Sequence, residues 1–249
     1  MNKFALLLWG ILISFALITF KNFPANADPV LQSSGQTLSS QAGSVLASNP
    51  EEAPFKPPYE IVSAGAQHVC GIKSNGQVTC WGDNTQGQAT PPAGEFMQIS
   101  AGAYHTCALQ ATGVIQCWGL NDDGQTSVPA GSFTAVSAGS YHTCAIQSNG
   151  QVVCWGRNAD GQSTPVTGSF LQISAGDRHT CGVENNGEAV CWGDDSQGES
   201  SAPVATFRQV SAGRDFTCGV QDDGTLLCWG LGTDGQASPP AGYFKDVDA

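Results

Sequence analysis

Ten cysteines stand in this chain: Cys70, Cys80, Cys107, Cys117, Cys144, Cys154, Cys181, Cys191, Cys218 and Cys228. Three chemistries use such residues: metal ligation, thiol redox catalysis and disulfide bonding. Redox catalysis favours C-x-x-C, which the chain lacks. Structural zinc needs four ligands converging at short spacing, and one C-x9-C pair per segment does not gather them. Each first cysteine lies 37 residues from the next, and so does each second. Trp81, Trp118, Trp155, Trp192 and Trp229 follow the second cysteines in the sequence Cys-Trp-Gly. A unit copied five times reads as structure, since one catalytic centre needs no copies.

Two further rows of residues could do chemistry. His68, His105, His142 and His179 share one repeat position, and Phe216 takes it in the fifth copy. They read as metal ligands or general bases, or as packed histidines that fix a loop; the phenylalanine favours packing. The segments "DNTQGQ", "LNDDGQ", "RNADGQ", "DDSQGE" and "LGTDGQ" place Asp122, Asp123, Asp160, Asp194, Asp195 and Asp234 where oxygens could hold calcium. They lack the D-x-D-x-D-G order and closing Glu of a calcium loop, and Asn, Asp and Gly also make turns. No G-x-S-x-G, H-E-x-x-H or Walker motif occurs. "GLGTDG" has glycine-rich spacing without a βαβ context. The chain is expected to be no enzyme and to carry no metal or cofactor.

The elements that position these residues are short strands. Between the cysteines of "CGIKSNGQVTC", Ser74-Asn75-Gly76 makes a three-residue hairpin loop with Gly supplying positive φ. Lys73 then faces Gln77, Ile72 faces Val78 and Cys70 faces Cys80, so the two sulfurs come within bonding reach. The expected disulfides are Cys70–Cys80, Cys107–Cys117, Cys144–Cys154, Cys181–Cys191 and Cys218–Cys228. Closing each loop stabilises by roughly 2–3 kcal/mol on the chain-entropy picture. Each unit offers a strand like "FMQISA", one like "HTCALQ" and one like "VIQCWG", with room for a fourth near "GQTSVP". Cys70, Ile72, Val78 and Cys80 share one hairpin face; Val69, Gly71, Thr79 and Trp81 share the other. A sheet apolar on both faces must lie between similar sheets, as a propeller blade does.

The pattern S-A-G-x-x-H followed by W-G-x-N-x-x-G-Q resembles the repeat of the regulator-of-chromosome-condensation family over residues 59–249. The resemblance implies a β-propeller, and with the repeats and disulfides read above the expected fold is all-β, a propeller of five 37-residue repeats with blades of three to four short antiparallel strands and one disulfide per blade. It implies seven blades in the usual family member, whereas five full units are present here. The tail "FKDVDA" matches the first strand of a further unit. Closure by five blades, a longer chain and association of copies all stay open. Cytoplasmic and nuclear members promote nucleotide exchange on a small GTPase and touch chromatin. Secreted bacterial members are similar to propeller-type β-lactamase-inhibitor proteins.

Compartment and charge choose between these. The 249-residue chain carries net charge −12 and no Lys/Arg cluster, so nucleic acid is not an expected partner. Residues 1–27 read as a signal peptide: a basic start at Lys3, an apolar run from Phe4 to Phe20, and Ala25-Asn26-Ala27 for cleavage. An uncleaved anchor is the competing reading; after cleavage no membrane span is expected. Residues 28–58 read as a flexible Ser/Gln/Pro-rich linker. Secretion or a periplasmic location follows, which suits disulfides.

The positions that break the repeat carry the functional reading. Those before each histidine or Phe216 vary: Ala66-Gln67, Ala103-Tyr104, Ser140-Tyr141, Asp177-Arg178 and Arg214-Asp215. So does the residue after each Trp-Gly: Asp83, Leu120, Arg157, Asp194 and Leu231. Fixed positions build a scaffold and varied loops present a surface. Gln67, Tyr104, Tyr141, Arg157, Arg178, Arg214 and Asp215 are the expected partner-binding residues, Tyr and Arg being frequent interface anchors. The expected function is a secreted, non-enzymatic module that binds a protein, with inhibition of an extracytoplasmic enzyme as one version. The alternatives are a glycan-binding propeller, calcium-assisted or not, and a structural module that self-associates through the spare strand.

Overall fold

The computed structural model describes residues 59–164 and 166–249. The signal peptide and linker readings fall on residues 1–58, outside the described residues. Every regular element among the described residues is a strand. The first sheet holds β1 (Tyr59–Ala64), β2 (His68–Lys73) and β3 (Val78–Gly82). The second holds β4 (Gln98–Ala101), β5 (His105–Leu109) and β6 (Ile115–Gly119). The third holds β7 (Phe133–Ala138), β8 (His142–Gln147) and β9 (Val152–Gly156). The fourth holds β10 (Phe170–Ala175), β11 (His179–Glu184) and β12 (Ala189–Gly193). The fifth holds β13 (Phe207–Ala212), β14 (Phe216–Gln221) and β15 (Leu226–Gly230). Each is an antiparallel meander in chain order. The segment at "GQTSVP" forms turns, so each repeat has three strands.

The hairpin register is the expected one. Cys70 faces Cys80 and Ile72 faces Val78, with Gly76 at φ 80° in the loop. The same pairing recurs between Cys107 and Cys117, Cys144 and Cys154, Cys181 and Cys191, and Cys218 and Cys228. All five pairs form disulfides within their own repeat, across Cα–Cα distances of 4.0–4.1 Å. No free cysteine is left among the described residues. The turn glycine has a second role: its carbonyl accepts the N–H of the next repeat's phenylalanine, as from Phe96 to Gly76 at 2.8 Å.

Neighbouring sheets bury their facing sides against one another, as blades of a propeller do, while Val62 and Trp81 on the outer side of the first sheet stay exposed. Cys70 and Ile72 of the first blade pack with Phe96, Ile99 and Ala108 of the second. Cys107, Leu109 and Ile115 meet Phe133, Val136, Ala145 and Trp155 at the next junction. The junctions after the third and fourth blades repeat the scheme, with Cys144 beside Trp192 and Cys181 beside Trp229. Burial of these side chains supplies the main cohesion, at roughly 1.5–3 kcal/mol each.

Polar bonds fix the stacking. Each inner strand's serine accepts an N–H from the next inner strand, from Ser63 with Ala101 at 2.9 Å to Ser211 with Ala249 at 3.0 Å. Residues 244–249, which form no strand, thus lie against the fifth blade where a next inner strand would stack, held also by Gln209, whose side chain bonds both N–H and C=O of Val247 at 3.1 Å.

Candidate functional site

The four histidines belong to the junctions. Their Nε2 atoms lie 2.7–2.9 Å from the hydroxyls of Thr106, Thr143, Thr180 and Thr217, each on the following blade. Those hydroxyls donate to the carbonyls of Gln88, Gln125, Gln162 and Glu199 at 3.0–3.3 Å. A hydroxyl has one proton, so each threonine accepts from its histidine, which fixes the Nε2–H tautomer. Nδ1 keeps its lone pair buried and unpartnered. The same four carbonyls accept the indole N–H of Trp118, Trp155, Trp192 and Trp229 at 2.9 Å. Burial lowers every histidine below its ordinary pKa: His105 and His142 to about 3, with neighbouring histidines adding repulsion, and His179 to about 4 against the pull of Asp215. Such groups are locked, neutral struts. They cannot act as bases at the surface.

The ends of the row carry their own residues. Val69 holds the threonine position in the first blade and Phe216 the histidine position in the fifth. Both halves of the pair change together at the two outer blades, which the junction explains.

The Asn/Asp/Gly segments are built as turns. Asn84, Asn121, Asn158 and Asp195 each accept the N–H five residues on at 2.8–2.9 Å. Gln88, Gln125, Gln162 and Glu199 accept the N–H two residues back at 2.8–3.0 Å. Of the six expected calcium-loop aspartates, Asp194 and Asp195 accept backbone N–H groups of their own turns, and no group of three or more His, Cys, Asp or Glu is placed to hold a metal ion among the described residues.

The varied loops meet on one face. The residue after each Trp-Gly donates its N–H to the carbonyl of the residue before the histidine or Phe216, at 2.8–2.9 Å: Asp83 to Gln67, Leu120 to Tyr104, Arg157 to Tyr141, Asp194 to Arg178 and Leu231 to Asp215. One backbone bond per blade therefore ties the two varied positions together.

Their side chains form two groups, one aromatic and one ionic, over four blades. The Tyr104 and Tyr141 rings lie 5.9 Å apart, and the Arg157 guanidinium sits over Tyr141 at 5.7 Å. Arg178 pairs with Asp194 at 2.7 Å and reaches Asp215 at 4.0 Å. Arg214 lies 3.7 Å from Asp215 and 4.0 Å from Asp177. Burial, then Tyr104 and Asp177, raise the Tyr141 phenol above its ordinary pKa, with Arg157 opposing. Gln67 is exposed in the same loop layer but joins none of these contacts.

At the centre is an open cavity of about 630 Å³. Its floor is the Ala-Gly step of all five inner strands, and Tyr104, Tyr141, Asp177 and Arg214 stand on its rim. Asp177 and Asp194 complete the cluster beyond the expected binding residues. Their only signal in the sequence is variation at the same two repeat positions.

The described residues contain no helix long and apolar enough to cross a membrane. Five disulfides point to an extracytoplasmic location. No curated protein sequence matches the chain. Among solved structures, the ectodomain of the Physcomitrella patens receptor kinase CR4 is similar, at 32% identity and a TM-score of 0.65, covering 76% of this chain and 55% of that one. The chain thus spans about half the length of that ectodomain. The CRINKLY WD40 ectodomain of the Arabidopsis thaliana receptor kinase ACR4 is 31% identical with a TM-score of 0.59, over 72% of this chain and 67% of that one. Prp20p from Saccharomyces cerevisiae, at 18% identity and a TM-score of 0.60, covers 73% and 60% of the two chains and shares the fold. The sequence pattern of the regulator of chromosome condensation (RCC1) repeat matches residues 60–88, 98–125, 133–162, 170–199 and 207–236, one match per blade. On those five matches and the blades they coincide with, the chain belongs to the regulator of chromosome condensation (RCC1) repeat family.

Proposed function

We propose that this chain is an extracytoplasmic, non-enzymatic propeller that binds another protein through the loop face around the axial cavity. The observation that carries this reading is the division of labour within each blade. Repeated residues are consumed in disulfides, His–Thr bonds and turns. The residues that differ from blade to blade gather on one face as aromatic and charged groups over an invariant frame. Tyrosine and arginine at the centre of a face, ringed by other contacts, are the groups that dominate protein interfaces. The similarity to two receptor-kinase ectodomains supports a recognition role outside the cytoplasm. Binding that occludes an extracytoplasmic enzyme is the specific version we favour.

The test is affinity capture from native extracellular and envelope extract, with the oxidised chain as bait. A parallel bait carries Tyr104→Ala, Tyr141→Ala, Arg178→Ala and Arg214→Ala. None of these side chains supplies the backbone bonds that join the loops, so the variant is expected to fold, with a slightly lower melting point as Arg178 gives up its ion pair with Asp194. One protein retained by the parent and lost by the variant is the expected result. Equal retention by both baits would remove the binding role from this face.

A further inference from the structure

We propose that the axial cavity receives a lysine or arginine side chain from the protein partner, with Asp177 as its counter-ion and Tyr104 and Tyr141 as its aromatic wall. This rests on the binding reading above and names the chemistry of the group that enters.

Shape comes first. The floor is built from Ala-Gly steps, so the centre of the face is a depression of about 630 Å³ rather than a flat patch. A long side chain on a partner loop fits such a depression. A sheet or helix face would bridge it without filling it.

The wall comes second. Tyr104 and Tyr141 tilt at 41° to one another on adjacent blades and both line the cavity. A cation against the face of a tyrosine is attracted by the ring quadrupole. The chain already uses this chemistry here, with Arg157 over Tyr141.

Charge decides between a cationic and an anionic guest. The varied positions of this face form a sector with four carboxylates, Asp83, Asp177, Asp194 and Asp215, and three guanidiniums, Arg157, Arg178 and Arg214. Arg178 is committed to Asp194 at 2.7 Å. Arg214 is 82% exposed and touches Asp177 only at 4.0 Å, so it is a loose partner that a better-placed cation displaces. The sector keeps a negative surplus, and the chain's net charge of −12 steers basic partners toward it. An anionic guest would have to draw Arg157 from the Tyr141 ring or Arg214 from Asp177 and Asp215, against that surplus.

The experiment titrates the oxidised chain with Nα-acetyl-lysine amide, Nα-acetyl-arginine amide, Nα-acetyl-glutamine amide and Nα-acetyl-glutamate amide. The readout is the NMR ring resonances of Tyr104 and Tyr141, assigned with single Tyr→Phe variants. Saturable shifts are expected with the two cations only, in the millimolar range, weakening as salt rises from about 0.05 to about 0.5 M. Asp177→Asn, which keeps the backbone bond from residue 177 to Gly213, should weaken the cation response by about threefold to tenfold. No response, or a stronger one with the glutamate probe, overturns the proposal. The partner-capture bait separates the two readings. Loss of the partner with the four-residue variant but not with Asp177→Asn would keep the binding face and sink the cation.

Discussion

Glu199 stands where the first three blades carry glutamine, and the difference has a physical consequence. Gln88 accepts the Gln86 N–H through Oε1 and donates Nε2 to Asp83 at 2.9 Å. Asp194 occupies the position of Asp83 in the fourth blade, but Glu199, 1% exposed, ends in a carboxyl group where Gln88 presents an amide N–H. Glu199→Gln keeps the bond from the Gln197 N–H and adds a donor toward Asp194. We expect a gain of about 1 kcal/mol at neutral pH, read as a higher urea midpoint with unchanged slope. An unchanged or lower midpoint would show that the carboxylate is already satisfied. At this scale the sequence disclosed the cysteine partners, because both lie on one hairpin whose turn sets the register. It did not disclose that histidine bonds threonine, because those two residues are 38 apart and meet only across a junction. The paired exceptions Val69 and Phe216 were the available signal, legible only once the two columns are compared with each other.

Strands and turns were the most legible level, since a three-residue loop ending in glycine fixes which residues face each other. The expectation of a fourth strand was the generous end of the range. In "GQTSVP" the residues bond back to their own loop, Thr126 N–H to Asn121 and Ser127 N–H to Gly124, so no ladder can form. The Ser-Ala-Gly strand ends show how tightly elements depend on one another. A methyl group at Gly139 would lie 2.4 Å from the Gly176 carbonyl of the next blade and 2.4 Å from the His142 ring. At Gly213, beside Phe216 in place of histidine, the nearest atom is a ring carbon at 2.9 Å. Gly139→Ala should therefore cost about 3 kcal/mol or more, and Gly213→Ala about 1 kcal/mol. Denaturant midpoints of the two variants check the order. Equal costs would mean that both the His142 ring and the Gly176 carbonyl of the adjacent blade can move aside. The site itself was half legible for the same reason. The loops that carry it could be named, but which side chains touch depends on how blades are rotated against each other, and no strand pattern encodes that rotation.

Across the whole molecule the four His–Thr bonds act in parallel, because every junction from the first blade to the fifth has one. Their protonation therefore sets how stability responds to acid. The unfolded chain has ordinary histidines, near 6.5. In the folded chain burial holds His105 and His142 at about 3 and His179 at about 4, and it lowers His68 as well. Between those values the unfolded state binds protons that the folded state refuses. Stability is thus full above about pH 6.5 and falls as pH drops toward 3. Each deeply buried histidine costs about 2 kcal/mol at pH 5 relative to pH 7. Carboxylates act in a lower window. Asp83, held down chiefly by Thr85, and Asp223, held down chiefly by the Thr225 N–H, lose their contribution only as pH falls below their ordinary value of 3.8. Urea unfolding of the oxidised chain at pH 7, 6, 5 and 4.5 should show a steep loss that carboxylates cannot explain. His142→Phe, the residue type the chain itself uses at 216, should lower stability at pH 7 yet flatten the acid response by one proton's share. A response that stays flat between pH 6.5 and 4.5, or a slope unchanged in that variant, would mean that the folded histidines titrate normally. The reading of the four rings as locked, neutral struts would then be wrong.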